Sequence, residues 1–518
     1  IKKKDRVVAY LPNTIETVEA FIATTSLGAI WSSCSPDFGV KGLVERFSQI
    51  NPKVLFVADK YFYNGKVINV LERVPKILKE IKSIKYVIIV NYPGEKYLNK
   101  KYNFKKIKVI KWSDLSKIKS EVLKFSKFDF EHELAILYSS GTTGKPKCIC
   151  HRSGGVLLQH IKEHQLHCNI KEGDNIFYFT TCGWMMWNWL VSALASKASI
   201  VLFDGSPMYK KEDLLLKIAE KEKITLFGVS AKYIDALRKS RPNLQYKYKL
   251  LKLKTVCSTG SPLSKDGFRY VYKNIKKNVH LSSISGGTDI VSCFVLGNLY
   301  EPVLLGEIQN KGLGLDVDIF NEKKKSIKNK KGELVCKNPF PSMPLKFWND
   351  RNDTKFKNAY FNNFLNTWHH GDYAEVKKSG GFIIHGRTDT TLNPGGVRLG
   401  TAEIYSEVDK FIEIKESIVV GQKWDNDIRV VLFIVLNSKY NFNKDLLKKI
   451  KMQIRKNASP RHVPAKIIVV DDIPRTKNGK IVELAVKNII EGNKIKNKEA
   501  LANPKVLEKY KNLKELNY

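Results

Sequence analysis

The sequence predicts a two-part α/β protein: a large N-terminal domain of layered α/β sheets carrying a β-rich subdomain, then a small α+β C-terminal domain. Three observations carry this. At 518 residues the chain exceeds the usual size of one domain. Apolar, strand-like runs alternate with helix-periodic segments through its first part, the pattern of parallel sheets covered by helices. After Gly306 the texture changes to short strands and turns, and the cluster Asn393-Pro394-Gly395-Gly396 marks a break before a differently patterned tail.

The elements follow in order. Residues 5–10 read as a strand, turned by Leu11-Pro12-Asn13. Residues 14–28 have helical apolar spacing, with Asn13 as cap and Glu16 at capping-box distance. Residues 42–50 and 71–84 read as helices, and 54–58 and 86–90 as strands. Leu134 to Leu137 is an apolar run that reads as a buried strand. Further strands are expected over 174–181, 199–204, 225–229 and 255–260, the last ending in the turn Gly260-Ser261-Pro262. Strands over 317–320 and 333–336 open the β-rich part, followed by His369-His370-Gly371-Asp372-Tyr373 and 382–387. The tail reads as helix 401–411, strands 414–421 and 430–436, helix 446–456 and strand 466–470. It closes on a lysine-bearing loop, Pro474 to Lys480.

The formal charge of +38 raises the question of nucleic acid or an anionic membrane. The lysines are scattered among many Asn and Ile, however, and no RNA-binding signature or recognition-helix pattern appears. We therefore expect no nucleic-acid partner; the basic field would serve to draw in anionic substrates. The eight cysteines form no regular framework and read as reduced thiols of a cytoplasmic protein. No signal peptide or membrane-length apolar run is seen. The chain begins at Ile1, partway into an αβ pattern, so an upstream segment is expected.

The densest chemistry is Tyr138-Ser139-Ser140-Gly141-Thr142-Thr143-Gly144-Lys145-Pro146-Lys147. Glycines let backbone N–H groups approach an anion, and the hydroxyls and lysines add donors and charge. It is not a Walker A loop: only two residues separate Gly141 from Gly144, and Pro146 follows Lys145. The proline supplies no N–H, so the stretch reads as a flap over phosphates and not as a cradle at a helix start. The plain alternative is a polar surface turn.

His160, His164 and His167 share a helix face, with Cys148, Cys150, His151 and Cys168 nearby. That grouping raises the question of a zinc site. The usual paired ligand spacings are absent, so core or surface histidines are expected instead. Trp184-Met185-Met186-Trp187-Asn188-Trp189 makes a large adaptable apolar surface, which suits core packing as well as a pocket wall.

Taken together, six stretches in order resemble the adenylate-forming acyl-CoA synthetase superfamily across essentially the whole chain. They are Ser139 to Lys147, Gly260-Ser261-Pro262, Thr288-Asp289, Gly371-Asp372 through Arg387-Thr388-Asp389, Gly396-Val397-Arg398-Leu399-Gly400, and Pro474 to Lys480. Within it, Ile284-Ser285-Gly286-Gly287-Thr288-Asp289-Ile290, the Leu392 to Arg398 run and the tail Glu499 to Pro504 look most like the acetoacetate–CoA ligase branch.

The resemblance implies the adenylate-forming enzyme fold, with domains at 1–388 and 389–518 and a hinge at Asp389. It implies ATP-dependent joining of a carboxylic acid to coenzyme A through an acyl-adenylate, with Mg²⁺. By the same resemblance, Ser139, Ser140, Gly141, Thr142, Thr143, Gly144, Lys145 and Lys147 would close on the ATP phosphates. Gly260, Ser261 and Pro262 would border the adenine, and Asp372 would take the ribose hydroxyls with Arg387 alongside. Thr288 would donate to the α-phosphate, and Asp289 would meet Mg²⁺ where most relatives have Glu. Arg398 would lie near the phosphate or acyl-adenylate, and Lys480 would bridge substrate carboxylate and α-phosphate. Trp184, Met185 and Gly286 would line the acyl pocket. Related acetate enzymes carry a tryptophan at the place of Gly286, so the glycine is expected to leave room for a four-carbon keto acid. Arg455 would meet CoA. The competing readings are an acetyl- or propionyl-CoA synthetase, an adenylation module that loads a carrier protein, and a basic nucleic-acid-binding protein.

Overall fold

A computed structural model describes the chain except residues 93–103, 105–106, 116, 119–124, 140–145, 241–242, 245–246, 261, 322, 388–391, 397–398, 400, 409, 475–481 and 494–502. Contacts divide it into two compact units, one running to Thr388 and the other made mainly of Asp389–Tyr518.

The first unit begins with an eight-stranded sheet. Its centre is Arg6–Tyr10, which pairs in parallel with Ile30–Cys34 on one side and Val54–Ala58 on the other. Tyr86–Val90 and Lys108–Lys111 extend one edge. Glu133–Ser139 joins beyond Ile30–Cys34 and turns back antiparallel into Lys147–Arg152. Four of the five residues of Arg6–Tyr10, and all of Val54–Ala58, are buried. That explains their near-continuous apolar runs: a parallel strand covered on both faces has no polar side to show.

The first helix, Ile15–Ser26, lacks the expected cap. Thr14 occupies the cap position without a side-chain bond. Asn13 is committed elsewhere: its carbonyl oxygen accepts from the Trp187 indole at 2.9 Å and its amide donates to the Phe203 carbonyl at 3.3 Å. A long-range demand outranked the local one. The helix expected over 71–84 is likewise shorter, a 3₁₀ turn at Leu71–Arg73 running into Val74–Glu80.

A second, all-parallel sheet runs in the order Ser199–Val201, Asn175–Tyr178, Leu226–Ser230, Thr255–Thr259, His280–Ser283. Its strands end at Val201, Tyr178, Ser230, Thr259 and Ser283, all at one edge of the parallel sheet. The carboxyl ends of parallel strands are where such sheets bind ligands. Beyond it the chain becomes antiparallel, as the change of texture after Gly306 predicts. Val317–Phe320, Gly332–Cys336, Trp368–Val376 and Phe382–Arg387 make a four-stranded meander around an aromatic core. Ser285–Gly287 and Ser292–Leu296 form a separate antiparallel pair.

The second unit holds the hairpin Ile414–Trp424/Asp427–Leu436 with Lys466–Val469 parallel to its second strand. The hairpin is longer than its apolar residues suggest. Asp425 and Asn426 both take positive φ, the geometry of a tight two-residue turn, so pairing continues to the tip. Helices Thr401–Val408 and Lys444–Asn457 contribute to one core and Glu483–Ile490 to another. Asn443 caps Lys444–Asn457 by accepting the Leu446 N–H at 2.8 Å.

Candidate active site

Most of the described site residues lie in the first unit, on turns and strand ends. Ser139 and Lys147 face each other in register across the antiparallel pair whose connection is the glycine-rich stretch. Ser139 is buried. Ser140, Gly141, Thr142, Thr143, Gly144 and Lys145 lie outside the described residues, as do Ser261, Asp389, Arg398 and Lys480.

Lys147 presents its ammonium to two aromatic rings, 5.6 Å from the centroids of both Phe347 and Tyr360. A cation over a ring face is held by the ring quadrupole. Tyr360 then links this lysine to the Thr288-Asp289 motif: its hydroxyl donates to Asp289 Oδ1 at 2.6 Å. The ring is itself stacked on Trp368, centroids 3.8 Å apart and planes 15° from parallel. Trp368 Nε1 approaches His370 Nδ1 at 3.5 Å, and His370 Nε2 lies 3.7 Å from Asp372 Oδ2. One aromatic pair thus connects Lys147, Asp289 and Asp372, which are far apart in sequence.

Space between them is tight. A Cβ at Gly287 would come within 3.1 Å of His370 Nε2 and 3.7 Å of Asp289 Oδ2. Thr288 and Asp289 sit in the turn that follows Ser285–Gly287; Asp289 is buried. His151, on the strand that begins at Lys147, is buried against this turn. Burial drives its pKa down to about 3, more than the nearby Asp289 carboxylate and Thr288 main chain raise it. The ring is neutral there.

Asp372 and Arg387 are register partners across Trp368–Val376 and Phe382–Arg387. Asp372 is buried; of the Arg387 side chain nothing is described. Gly260 has φ +87°, which glycine alone adopts without strain, and Pro262 is exposed beyond it. The neighbouring strand end is tied in by the Ile284 N–H donating to Ser258 O at 2.8 Å and the Thr259 hydroxyl donating to Ile284 O at 3.0 Å. The adenine candidates and Gly286 therefore follow adjacent strand ends.

Trp184 caps the helix Met185–Ser192, and both Trp184 and Met185 pack with Tyr178, Ile284, Val291 and Cys293. Gly286 pairs with Cys293 in the neighbouring strand, next to a register shift between Ser285 and Gly286. Its role is tighter than the expected empty volume. A Cβ built at Gly286 would lie 2.0 Å from the Ser292 carbonyl oxygen and 2.5 Å from Cys293 Cα. On this backbone the space beside the glycine is filled by main chain, so a tryptophan would need the two strands to part.

Arg455 is exposed on Lys444–Asn457 in the second unit. Among the described residues no three His, Cys, Asp or Glu side chains gather as metal ligands. Instead His160 bonds the Val291 carbonyl at 2.6 Å and His167 the Gly297 carbonyl at 2.8 Å. All eight cysteines are free and buried. Among the described residues no helix is long and apolar enough to cross a membrane.

Tyr360 was not legible as a site residue. With Phe356 four residues before it, it reads as one face of a packed helix, and only the fold brings its hydroxyl to Asp289.

The family model "AMP-binding enzyme" matches residues 1–343, and "AMP-binding enzyme C-terminal domain" matches 406–480. The chain is 52% identical to the acetoacetyl-coenzyme A synthetase of Rhizobium meliloti over 512 residues, 99% of this chain and 78% of that one. It is 45% identical to the acetoacetyl-CoA synthetase of Gallus gallus over 534 residues, 100% of this chain and 78% of that protein. The solved acetoacetyl-CoA synthetase from Streptomyces lividans shares 38% identity at a TM-score of 0.71, covering 98% of this chain and 78% of that one. By these matches along its whole length, the chain belongs to the AMP-binding enzyme family and, within it, to the acetoacetyl-CoA synthetases.

Proposed function

We infer that the protein is an AMP-forming acid–thiol ligase that joins acetoacetate to coenzyme A. The observation that carries this is 52% identity to a synthetase of that name over 99% of the chain. The acid places the enzyme in ketone-body and lipid metabolism.

A carboxylate is a poor electrophile because its charge is delocalised. In the first step its oxygen attacks the α-phosphorus of ATP, pyrophosphate leaves, and acetoacetyl-adenylate forms. In the second the CoA thiol attacks the acyl carbon and AMP leaves. Both steps build negative charge on oxygen, so fixed donors and cations should supply most of the acceleration.

We assign the residues accordingly. Ser139 to Lys147 grips the phosphates. Thr288 donates to the α-phosphate, with Arg398 nearby. Gly260, Ser261 and Pro262 border the adenine, and Asp372 and Arg387 take the ribose. Lys480 neutralises the developing charge of adenylation, and Asp389 is the hinge. Trp184, Met185 and Gly286 shape the acyl pocket, and Arg455 serves CoA. Asp289 suits Mg²⁺: a single buried carboxylate, steadied by Tyr360, is what an ion that takes most of its ligands from phosphate and water needs. When bound, Mg²⁺ would offset charge on the phosphates. The eight buried free cysteines suit a reducing, cytoplasmic compartment.

The test is pyrophosphate release across short acids, with free acyl-CoA measured alongside. We expect acetoacetate to give the highest kcat/KM and the product to appear as free thioester. Faster turnover of acetate or propionate would replace this reading with another short-acid synthetase; acyl transfer to a carrier protein alone would replace it with an adenylation module.

A further inference from the structure

Glu163 is a fully buried carboxylate that no step assigned above uses. It opens a π-helical turn, Glu163–His167, in which the Cys168 N–H donates to the Glu163 carbonyl five residues back at 3.0 Å. Such widened turns recur at functional sites.

Its oxygens hold two elements at once. Oε1 accepts from Gln159 Nε2 at 2.9 Å and from the Ser292 hydroxyl; Oε2 accepts from Trp189 Nε1 at 2.9 Å and lies 3.6 Å from Cys293 Sγ. Trp189 belongs to the helix Met185–Ser192, which Trp184 caps. Ser292 and Cys293 are the register partners of Gly287 and Gly286. One carboxylate therefore ties together the two elements that carry the acyl-pocket candidates.

The same helix also grips the turn between them. One turn before Glu163, His160 Nε2 donates to the Val291 carbonyl at 2.6 Å. Val291 has φ +47°, a left-handed conformation that a β-branched residue avoids. Strain of this kind persists only where the surroundings over-determine it. Stability alone is a poor reason for the arrangement, because apolar groups of the same shape can replace a buried hydrogen-bonded set with little loss.

We propose that Glu163 is a positioning residue that sets acid specificity, by fixing the spacing between the Trp184–Met185 helix start and the Gly286–Gly287 strand. This rests on the acyl-pocket assignment made under the proposed function. The test uses Glu163→Met, Glu163→Gln, Ser292→Ala and Trp189→Phe in the full chain. For each, kcat/KM for acetoacetate, butyrate and acetate is measured with KM for ATP and the melting temperature. Glutamine is the rescue variant, since Ser292 and Gln159 can turn to accept from its amide.

We expect Glu163→Met and Ser292→Ala to raise KM for acetoacetate about tenfold and to lower its preference over acetate, with KM for ATP within about twofold. Glu163→Gln should recover most of the preference. An unchanged acid preference in the folded variants, or an equal rise in KM for ATP, would overturn the proposal. Should Glu163→Met not fold, Ser292→Ala and Trp189→Phe decide by the same two readouts. The wild-type acid screen separates the two levels. Loss of acetoacetate preference in the wild type sinks the proposed function, whereas retained wild-type preference with unmoved variants sinks only the role of Glu163.

Discussion

Tyr360 shows how much one hydroxyl can organise. It donates to Asp289, its ring faces the Lys147 ammonium, and its stacking on Trp368 leads to His370 and Asp372. A hydrogen bond to a charged group contributes about 1.5–3 kcal/mol. Tyr360→Phe should therefore raise KM for Mg-ATP about tenfold or more, while tryptophan fluorescence stays that of the stacked pair; an unchanged KM would remove Tyr360 from the site. A second residue-scale expectation concerns pH. Burial lowers the pKa of His151, His160 and His164 below the ordinary value of 6.5. The unfolded chain thus binds protons that these folded residues refuse, and stability falls as pH drops below about 6.5. Each imidazole adds a slope of up to about 1.4 kcal/mol per pH unit. Urea unfolding at pH 7.5 and 5.5 reads this directly, and an unmoved midpoint would contradict it.

At the scale of elements, close backbone approach decides what single residues do. Ser285–Gly287 and Ser292–Leu296 come so near that a Cβ at Gly286 has no place, while one at Gly287 would sit tightly against His370. Gly286→Ala should cost about 1–3 kcal/mol, in line with forcing atoms into packed surroundings. A melting temperature equal to wild type would show that the strands separate freely. The chemistry-bearing turns share one logic: Gly260 follows one parallel strand, Ile284 follows its neighbour, and Thr288-Asp289 comes soon after. The strand–helix alternation of the first unit was legible because buried parallel strands are apolar throughout. The hairpin of the second unit was legible in kind but not in length, because its tip is held by ladder pairing and by Arg429, which donates to Gln422 Oε1 at 2.8 Å and lies 3.8 Å over the Trp424 ring, contacts that leave no apolar period. The absence of the expected Asn13 cap is also a long-range effect: Trp187, 174 residues away, claims the side chain.

At the scale of the whole molecule, the two half-reactions should separate. Lys480→Ala is expected to lose adenylation by about 10²-fold or more while keeping thioester formation from supplied acetoacetyl-adenylate. Asp389→Pro should leave pyrophosphate release intact and suppress overall turnover, because proline fixes the backbone torsion a hinge must change. Equal loss of both steps in the first variant, or normal turnover in the second, would count against these roles.

The sequence by itself determined the fold class, the order of the motifs and the branch of the family, because these reside in local patterns: apolar period, turn residues, and runs of glycine, hydroxyl and lysine. The tertiary structure alone decided how distant residues act on each other. Tyr360 reaches Asp289 across 71 residues and Glu163 reaches Ser292 across 129. A hydrogen bond between a core tyrosine and a buried acid leaves no periodic trace in either segment. It exists only once the packing that removes both from water has placed them in contact.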